Sequence, residues 1–243
     1  MKIDSSIKPK KLLPSIDRML ELSCGKIRSI HKSWNPSKGT PVFTRAGRYT
    51  SRGWTEWTQG FQFGCAILQY DMTGDEDFLK IGRDSTIARM APHVSNVGVH
   101  DHGFNNLSTY GNLRRLMLEG RLPMDRRELE LYELAIKLSG AVQAARWTPT
   151  ADGVGFIHSF NGPHSLFSDT MRSLRILFQA DRLGHVLMGE GDQPINLLGR
   201  AVEHALTTYK YNVYYGQERD AFDVDGRVAH ESIFNTNDGN YRC

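Results

Sequence analysis

The chain has 243 residues, of which 40% are hydrophobic and 23% are charged, as in a folded globular protein and unlike a disordered one. Its formal charge of +3 comes from basic residues scattered along the chain, a pattern that argues against a nucleic-acid-binding protein. No stretch reaches the roughly 18 apolar residues that a membrane-spanning helix needs. The first residues lack the apolar core of a signal peptide, so we expect a cytoplasmic location, or a periplasmic one for a mature form without its leader.

The first third of the chain shows helical periodicity. Residues 1–14 are predicted to form a loose arm, and a helix is predicted to begin at Pro14 and Ser15. A loop rich in Gly, Pro and Thr at 36–53 leads to "WTQGFQFGCAILQYDMTGD", which is apolar nearly all round and therefore predicts an inner, buried helix. The following "DEDFLKIGRDSTIARMAPH" predicts a more amphipathic partner helix that ends at Pro92.

The remainder of the chain continues in the same way. Further helices are predicted at residues 106–119, 125–145, 167–183 and 193–213, with polar loops at 93–105 and 146–166. Only the segment 211–234 has strand character, with a short hairpin predicted around Asp225 and Gly226. The sequence therefore predicts an all-α protein.

A short internal repeat supports stacked helical hairpins. "GDEDFLKIGR" (74–83) aligns without gaps on "GDQPINLLGR" (191–200), and each copy is expected to follow an inner helix and to carry an outer one. A closed ring of such hairpins needs about twelve helices, more than this chain supplies. We therefore expect residues 15–243 to form the N-terminal part of one toroidal domain.

The stretch "VHDHGF" holds the densest acidic-histidine cluster of the chain, and three interpretations are open for it. A metal site needs three or four converging ligands, which His93, His100, Asp101 and His102 supply on paper. Adjacent residues of an extended loop point to opposite sides, however, which argues against that site. Asp101 is alternatively a cap for the helix that follows, or a catalytic carboxylate held by its neighbours.

A second carboxylate, Asp169, opens the predicted helix of "SDTMRSLRILFQADRLG". Its simplest role is that of a helix cap. A helix N-terminus lowers the pKa of a carboxyl group, so an acid working near neutral pH needs an opposite influence from burial or from a second carboxylate. Asp101 and Asp169 therefore make chemical sense as a pair.

Aromatic residues surround the two candidate aspartates. Trp54 and Trp57 stand beside polar residues at the entrance of the first inner helix, a mixture that suits a sugar-binding platform. Core packing accounts for the other aromatic residues by default. His230 follows a predicted tight turn, and its pattern by itself indicates a structural residue.

Several segments occur together in a characteristic order: "EWTQGFQFGCAILQYDMTGDEDFL", "HDHGF" followed by "YGNLRRL", "SDTMRSLRILFQADRLG", "AVEHALTT" and "DGRVAHESIF". In this order and spacing the chain resembles the unsaturated glucuronyl hydrolases of glycoside hydrolase family 88 and the related unsaturated rhamnogalacturonyl hydrolases of family 105. The resemblance covers roughly residues 15–243.

The resemblance implies an (α/α)6 barrel, a toroid of six helical hairpins of which this chain would form the N-terminal portion. It implies an enzyme that releases a 4,5-unsaturated uronic acid from the non-reducing end of oligosaccharides made by polysaccharide lyases. The family hydrates the C4=C5 vinyl ether, so the carboxylate-spacing rule for inverting and retaining glycosidases does not apply. Neither a metal nor an organic cofactor is implied, and the expected partner is the unsaturated oligosaccharide.

The motif match also implies roles for individual residues. Asp169 resembles the general acid and base, which protonates C4 and takes a proton from the water that adds at C5. Asp101 resembles its partner carboxylate, which holds the sugar hydroxyls and raises the pKa of Asp169. The residues expected to contact the sugar, from the match and from their chemistry, are Trp57, His230, His100, Trp54 and Phe160.

The chain departs from the family pattern at several points. His102 stands where the family usually has an aliphatic residue, and Phe160 where it often has a tryptophan. The H-Q-G and W-x-R-G-x-x-W segments of the family, expected to contribute to the pocket and to contact the substrate carboxylate, do not occur here. We therefore expect this chain alone to be inactive or poorly folded.

Two other functions are compatible with the sequence. A helical toroid that binds carbohydrate or serves as a scaffold would keep the fold without the reaction. A metal-dependent hydrolase would be built on His100 and His102. An Asp169→Asn variant separates the enzyme from the binding protein, because only the enzyme has turnover to lose.

Overall fold

The structure is a computed structural model that describes residues 6–53 and 56–243. Its α-helices are α1 (Pro9–Ser33), α2 (Gln59–Thr73), α3 (Glu76–Arg89), α4 (Ala91–Val94), α5 (His102–Asn106), α6 (Asn112–Leu118), α7 (Arg126–Ala145), α8 (Thr170–Ser173), α9 (Arg175–Arg182) and α10 (Leu197–Asn212). A π-helical segment, Leu107–Gly111, joins α5 to α6. The predicted all-α class is confirmed.

Short antiparallel strand pairs occupy the loops between the helices. The pairs are β1 (Phe43–Arg45) with β2 (Arg48–Thr50), β3 (Trp147–Pro149) with β4 (Gly155–Ile157), β5 (Ser165–Phe167) with β8 (Glu231–Ile233), and β6 (Leu187–Met188) with β7 (Pro194–Ile195). The predicted loops at 36–53 and 146–166 thus each contain a hairpin. None of these strands was predicted, except that β8 lies in the segment with strand character.

The helices alternate between two layers. Helices α2, α5–α6 and α8–α9 form the inner row, and α1, α3, α7 and α10 pack outside it. Apolar side chains between the rows make the main core, whose fully buried members include Ile67, Leu113, Ile136 and Leu177. In the described part of the chain, no helix is long and apolar enough to cross a lipid bilayer.

Glycines bring the inner helix α2 close to the segment that carries the "HDHGF" motif. A Cβ atom on Gly60 would lie 2.3 Å from the Cα of Asn105, and one on Gly64 would lie 2.7 Å from the carbonyl oxygen of Ser108. The backbone N–H of Gly60 also donates a hydrogen bond to Oδ1 of Asn105, at 2.8 Å. Only glycine permits this approach, which fixes α5 relative to α2.

The first helix begins earlier than its start signal indicated. α1 starts at Pro9 and continues through Pro14, which lies near its exposed N-terminal end. Residues 9–14 are therefore helical, and the prediction of a loose arm through residue 14 was wrong for them. None of the α1 residues is buried, so little packing depends on where this helix begins.

The two copies of the internal repeat start their helices differently. Gly74 adopts a left-handed conformation, with φ of 72°, that ends α2, and the side chain of Asp75 caps α3. In the second copy the cap is Asn196, so α10 begins four residues later in the repeat than α3 does. The similarity therefore predicts an outer helix in both places but not its start.

Candidate active site

The N-terminal ends of the three inner helical segments meet at one side of the molecule and surround a cavity of about 830 Å³. The residues predicted from the sequence that line it are Trp57, His100, Asp101, Phe160, Asp169 and His230. Asn96, Gly98, Val99 and Phe167, which sequence reasoning did not select, complete the lining. Trp54, the remaining predicted residue, lies outside the described residues.

Asp101 occupies the N-cap position of α5, but its carboxylate makes no capping hydrogen bond. The interpretation as a simple helix cap is therefore wrong for its side chain. Only 5% of the residue is exposed. Burial raises the pKa of Asp101 and the negative charge of Asp169 raises it further, against the opposing effects of His100, Arg146 and Arg172. In the free protein Asp101 is the carboxyl group more inclined to hold a proton.

Asp169 precedes α8 and likewise makes no side-chain cap. Burial by itself raises the pKa of Asp169, but the hydrogen bond from His100 and the charges of His100, His230 and Arg172 outweigh burial and lower that pKa overall. The expectation that Asp101 holds the pKa of Asp169 high is therefore wrong for the free protein. The reason is that three cationic or hydrogen-bonding partners face Asp169, and sequence spacing shows none of them.

His100 connects Asp169 to the loop after β4. The backbone N–H of Phe160 donates to Nδ1 of His100 at 3.2 Å, so the proton of a neutral ring resides on Nε2. Nε2 lies 3.2 Å from Oδ1 of Asp169 and donates to it. The ring is also held by Phe160, stacked at 5.8 Å, and by Phe167, edge-on at 5.4 Å. The backbone thus sets which nitrogen of His100 faces the carboxylate.

His102 points away from the cavity and makes a structural contact. Its Nδ1 lies 2.8 Å from Oγ of Ser139, and its Nε2 lies 2.9 Å from the carbonyl oxygen of Asn96. Burial lowers the pKa of His102 to about 4, which keeps the ring neutral. His100 and His102 therefore serve different sites, and within residues 6–53 and 56–243 no three His, Cys, Asp or Glu side chains are grouped to hold a metal. The hypothesis of a metal site at this motif is not supported.

Aromatic side chains form the walls of the cavity. Trp57 is 39% exposed, and its ring lies edge-on to Phe61 at 6.3 Å. Phe160, which also lines the cavity, is 41% exposed and stacks on His100. Partly exposed flat rings of this kind offer apolar faces to a sugar ring.

His230 reaches the cavity through a long-range strand pairing. β5 lies just before Asp169 and pairs with β8, which begins just after His230. The N–H of Ser168 donates to the carbonyl oxygen of His230 at 2.9 Å, and the His230 ring packs 4.5 Å from Phe167. This pairing places a residue from the end of the chain beside Asp169.

Arg146 is a residue that sequence reasoning missed. It follows α7, is only 8% exposed, and donates hydrogen bonds to the carbonyl oxygens of His158 (3.1 Å), Ser159 (2.6 Å) and Val97. It thereby ties the loop before His100 to the loop that carries Phe160. No motif marks it, because its partners are backbone atoms of segments that meet only in the fold.

The helices alternate between an inner and an outer row, and two carboxylates lie where the inner helices begin, an arrangement typical of a helical toroid. The fold of this chain is that of the unsaturated glucuronyl hydrolases, as comparison with solved structures shows, and at the level of the fold this confirms the resemblance predicted from the motifs. The sequence matches no protein-family model and no curated protein.

Three solved structures illustrate this similarity. An unsaturated glucuronyl hydrolase specific for heparin is 19% identical, with a TM-score of 0.66 over 89% of this chain and 51% of its own. The enzyme from Streptococcus agalactiae is 21% identical, with a TM-score of 0.64 over 100% of this chain and 57% of its own. The enzyme from Bacillus sp. GL1, responsible for the degradation of glycosaminoglycan, is 21% identical, with a TM-score of 0.58 and coverages of 85% and 47%. The chain spans about half the length of each.

Proposed function

We propose that this protein is a glycoside hydrolase that releases 4,5-unsaturated uronic acid from the non-reducing end of lyase-generated oligosaccharides. The observation that carries the proposal is the pairing of Asp101 and Asp169, remote in sequence, in one cavity where their surroundings move the two pKa values in opposite directions. Such a division between two carboxyl groups is typical of acid–base sites. The names of the structural neighbours, which mention heparin and glycosaminoglycan, favour substrates of that class.

The proposed reaction begins with proton transfer to C4 of the C4=C5 vinyl ether. The electron pair of the double bond forms the new C–H bond, and C5 becomes an oxocarbenium-like centre stabilised by the ring oxygen. Water then adds to C5 and loses a proton to a carboxylate. The resulting hemiketal opens and the rest of the saccharide leaves, so the net change is the consumption of one water molecule.

Asp169 is proposed as the acid and base for these steps, with Asp101 as its partner. In the free site the surroundings of Asp169 lower its pKa, and this group must gain a proton before it protonates C4. Binding of the anionic substrate favours this proton uptake, because the substrate carboxylate adds a negative charge beside Asp169 and raises the pKa of Asp169. The proton held by the Asp101–Asp169 pair is then available to C4.

The other cavity residues are proposed to position the sugar. Trp57 presents a partly exposed ring that can pack on the unsaturated sugar, and Phe160 offers a second apolar face. His100 and His230 flank Asp169 and can hydrogen-bond to the substrate. Trp54 stays a predicted sugar contact.

The experiment is to incubate the chain with unsaturated glycosaminoglycan disaccharides and to follow the ultraviolet absorbance of the conjugated double bond. The missing family segments led to the expectation of an inactive chain, but both proposed catalytic carboxyl groups line one cavity of this chain, so we now expect the absorbance to fall. The Asp169→Asn variant should slow this loss by about a hundred- to ten-thousand-fold, as for loss of a general acid. Binding without turnover by the unmodified chain would instead favour the non-catalytic carbohydrate-binding protein. The absence of both binding and turnover would contradict the proposal. Turnover would also refute the expectation that this chain alone is inactive.

A further inference from the structure

His102 is a buried titratable residue that the proposed reaction does not use. Of the three titratable residues in the "HDHGF" motif, His100 and Asp101 line the cavity, whereas the ring of His102 turns away from it. Only 1% of His102 is exposed. Burying an imidazole costs free energy unless its ring nitrogens find hydrogen-bond partners, so the contacts of this ring indicate what it does.

The partners of His102 determine which ring nitrogen carries the proton. The ring is neutral, because burial lowers its pKa to about 4. Nε2 lies 2.9 Å from the carbonyl oxygen of Asn96, which can only accept, so Nε2 carries the proton and donates it. Nδ1 therefore accepts the hydroxyl proton of Ser139, at 2.8 Å, and the Ser139 oxygen accepts from Nδ2 of Asn106, also at 2.8 Å. The hydrogen bonds thus run in one direction and end at the backbone of Asn96.

The side chains in this series belong to fixed parts of the fold. Ser139 on α7 and Asn106 on α5 are both fully buried. Helix α5 also packs closely on α8, since a Cβ atom on Gly103 would lie 2.5 Å from the Cα of Ser173. His102 therefore donates to a loop from a rigid element.

The loop that receives this hydrogen bond leads into the candidate catalytic residues. The loop 96–102 carries both His100 and Asp101, and three further residues of it line the cavity. The hydrogen bond from His102 to Asn96 joins the two ends of the loop. A catalytic group displaced by about 1 Å can lose about a hundred-fold in rate. The contact therefore bears on where the two side chains stand relative to a substrate.

We propose that His102 is a positioning residue, which closes the loop 96–102 through the carbonyl of Asn96 and thereby keeps His100 and Asp101 in their places in the cavity. Its effect on turnover rests on the proposed function, whereas its effect on the loop does not. An apolar side chain at this position would fill similar space but would leave the carbonyl of Asn96 without its donor. Loss of the closure should lower kcat more than it changes KM, because misplaced groups weaken the transition state more than the bound ground state.

Nuclear magnetic resonance of the protein with isotope-labelled histidines tests the contact directly. We expect the nitrogen chemical shifts of the unmodified protein to show His102 as a neutral ring with its proton on Nε2 at neutral pH. A proton on Nδ1, or a charged ring, would overturn the inference without any substitution.

Substitutions then separate positioning from simple support of the fold. We expect His102→Leu to shift the ring signals of His100 and to lower kcat for an unsaturated disaccharide by about ten- to a hundred-fold, with a smaller change in KM. His102→Gln should restore most of both readouts, because an amide can donate to Asn96 and accept from Ser139. Leu113→Ala is the matched control, since it destabilises the core from α6 without lining this cavity, and it should leave the His100 signals unchanged.

Thermal unfolding shows whether each variant is folded at the temperature of the measurements. The inference is overturned if either the His100 signals or the kcat of His102→Leu match those of the unmodified protein. It is also overturned if Leu113→Ala reproduces the shifts of His100, since loss of stability alone would then explain them. Absence of turnover in the unmodified protein would instead refute the proposed function, and the His100 signals alone would then decide whether His102 positions the loop.

Discussion

Replacement of Arg146 by methionine tests how the cavity is held together. The substitution keeps an apolar stem of similar length but removes the donors to the carbonyl oxygens of Val97, His158 and Ser159. A hydrogen bond to a charged group contributes about 1.5–3 kcal/mol, and such contributions are not additive. Water can reach part of the vacated site, so we expect a total loss of about 3–5 kcal/mol in the free energy of unfolding.

A loss of that size is a large part of the roughly 5–15 kcal/mol that stabilises a typical domain. The assay is unfolding in urea followed by circular dichroism, with the midpoint and slope compared between variants. Arg146→Lys should be intermediate, because an ammonium group cannot reach three carbonyls in the fixed geometry of a guanidinium. Arg175→Met, an exposed charge removal, should change stability by less than about 0.5 kcal/mol. Destabilisation of Arg146→Met by less than about 1 kcal/mol, with an unchanged slope, would refute the reasoning.

Further predictions concern packing and pH. Gly60→Ala should destabilise the fold by about 1–3 kcal/mol, because the added Cβ would meet the backbone of Asn105. Gly25→Ala should stabilise the fold by about 0.5–1 kcal/mol, because Gly25 lies in α1 with open space around it. Equal unfolding midpoints for the two variants would contradict this pair of predictions. Burial lowers the pKa of His102 to about 4 and that of His204 to about 3 in the folded protein. In the unfolded chain a histidine has a pKa of about 6.5, so below that pH the unfolded chain binds more protons than the folded protein does. The free energy of unfolding should therefore fall on acidification from about pH 6.5 to about pH 4, by up to about 1.4 kcal/mol per pH unit for each histidine. A melting temperature that stays constant across this pH range would contradict the prediction. Because burial raises the pKa of Asp101, its charged form disfavours the folded state, and Asp101→Asn should raise the melting temperature at neutral pH; a lower melting temperature would speak against this.

The helices and the two candidate carboxylates were accessible from the sequence because their signals are local. Helical periodicity located the inner helix α2 and the long outer helix α7 to within a few residues. Asp101 and Asp169 each stand just before a helix, and the resemblance supplied their pairing. That both reach one cavity is a property of the fold, as the lining of that cavity shows.

The electrostatics of the site depended on contacts between distant segments and were not accessible in the same way. The direction of the pKa shift of Asp169 is determined by His100, His230 and Arg172, of which His230 arrives only through the β5–β8 pairing. Arg146 acts on backbone carbonyls, which have no signature in the side-chain sequence. The early start of α1 was missed because Pro14 resembles a start signal and the exposed helix offers no packing pattern to correct it.

The pairing of β8 with β5 has a consequence for the loop that precedes it in the chain. The loop at 215–226 is closed at its base by the bridge between Val213 and Val228 and by the backbone hydrogen bond from Tyr214 to Arg227, just before β8 begins. Insertions or deletions at the tip of this loop can therefore be accommodated while His230 keeps its place in the lining of the cavity. A loop that can change in length without moving the residues behind it lets this part of the chain diverge while the β5–β8 pairing persists.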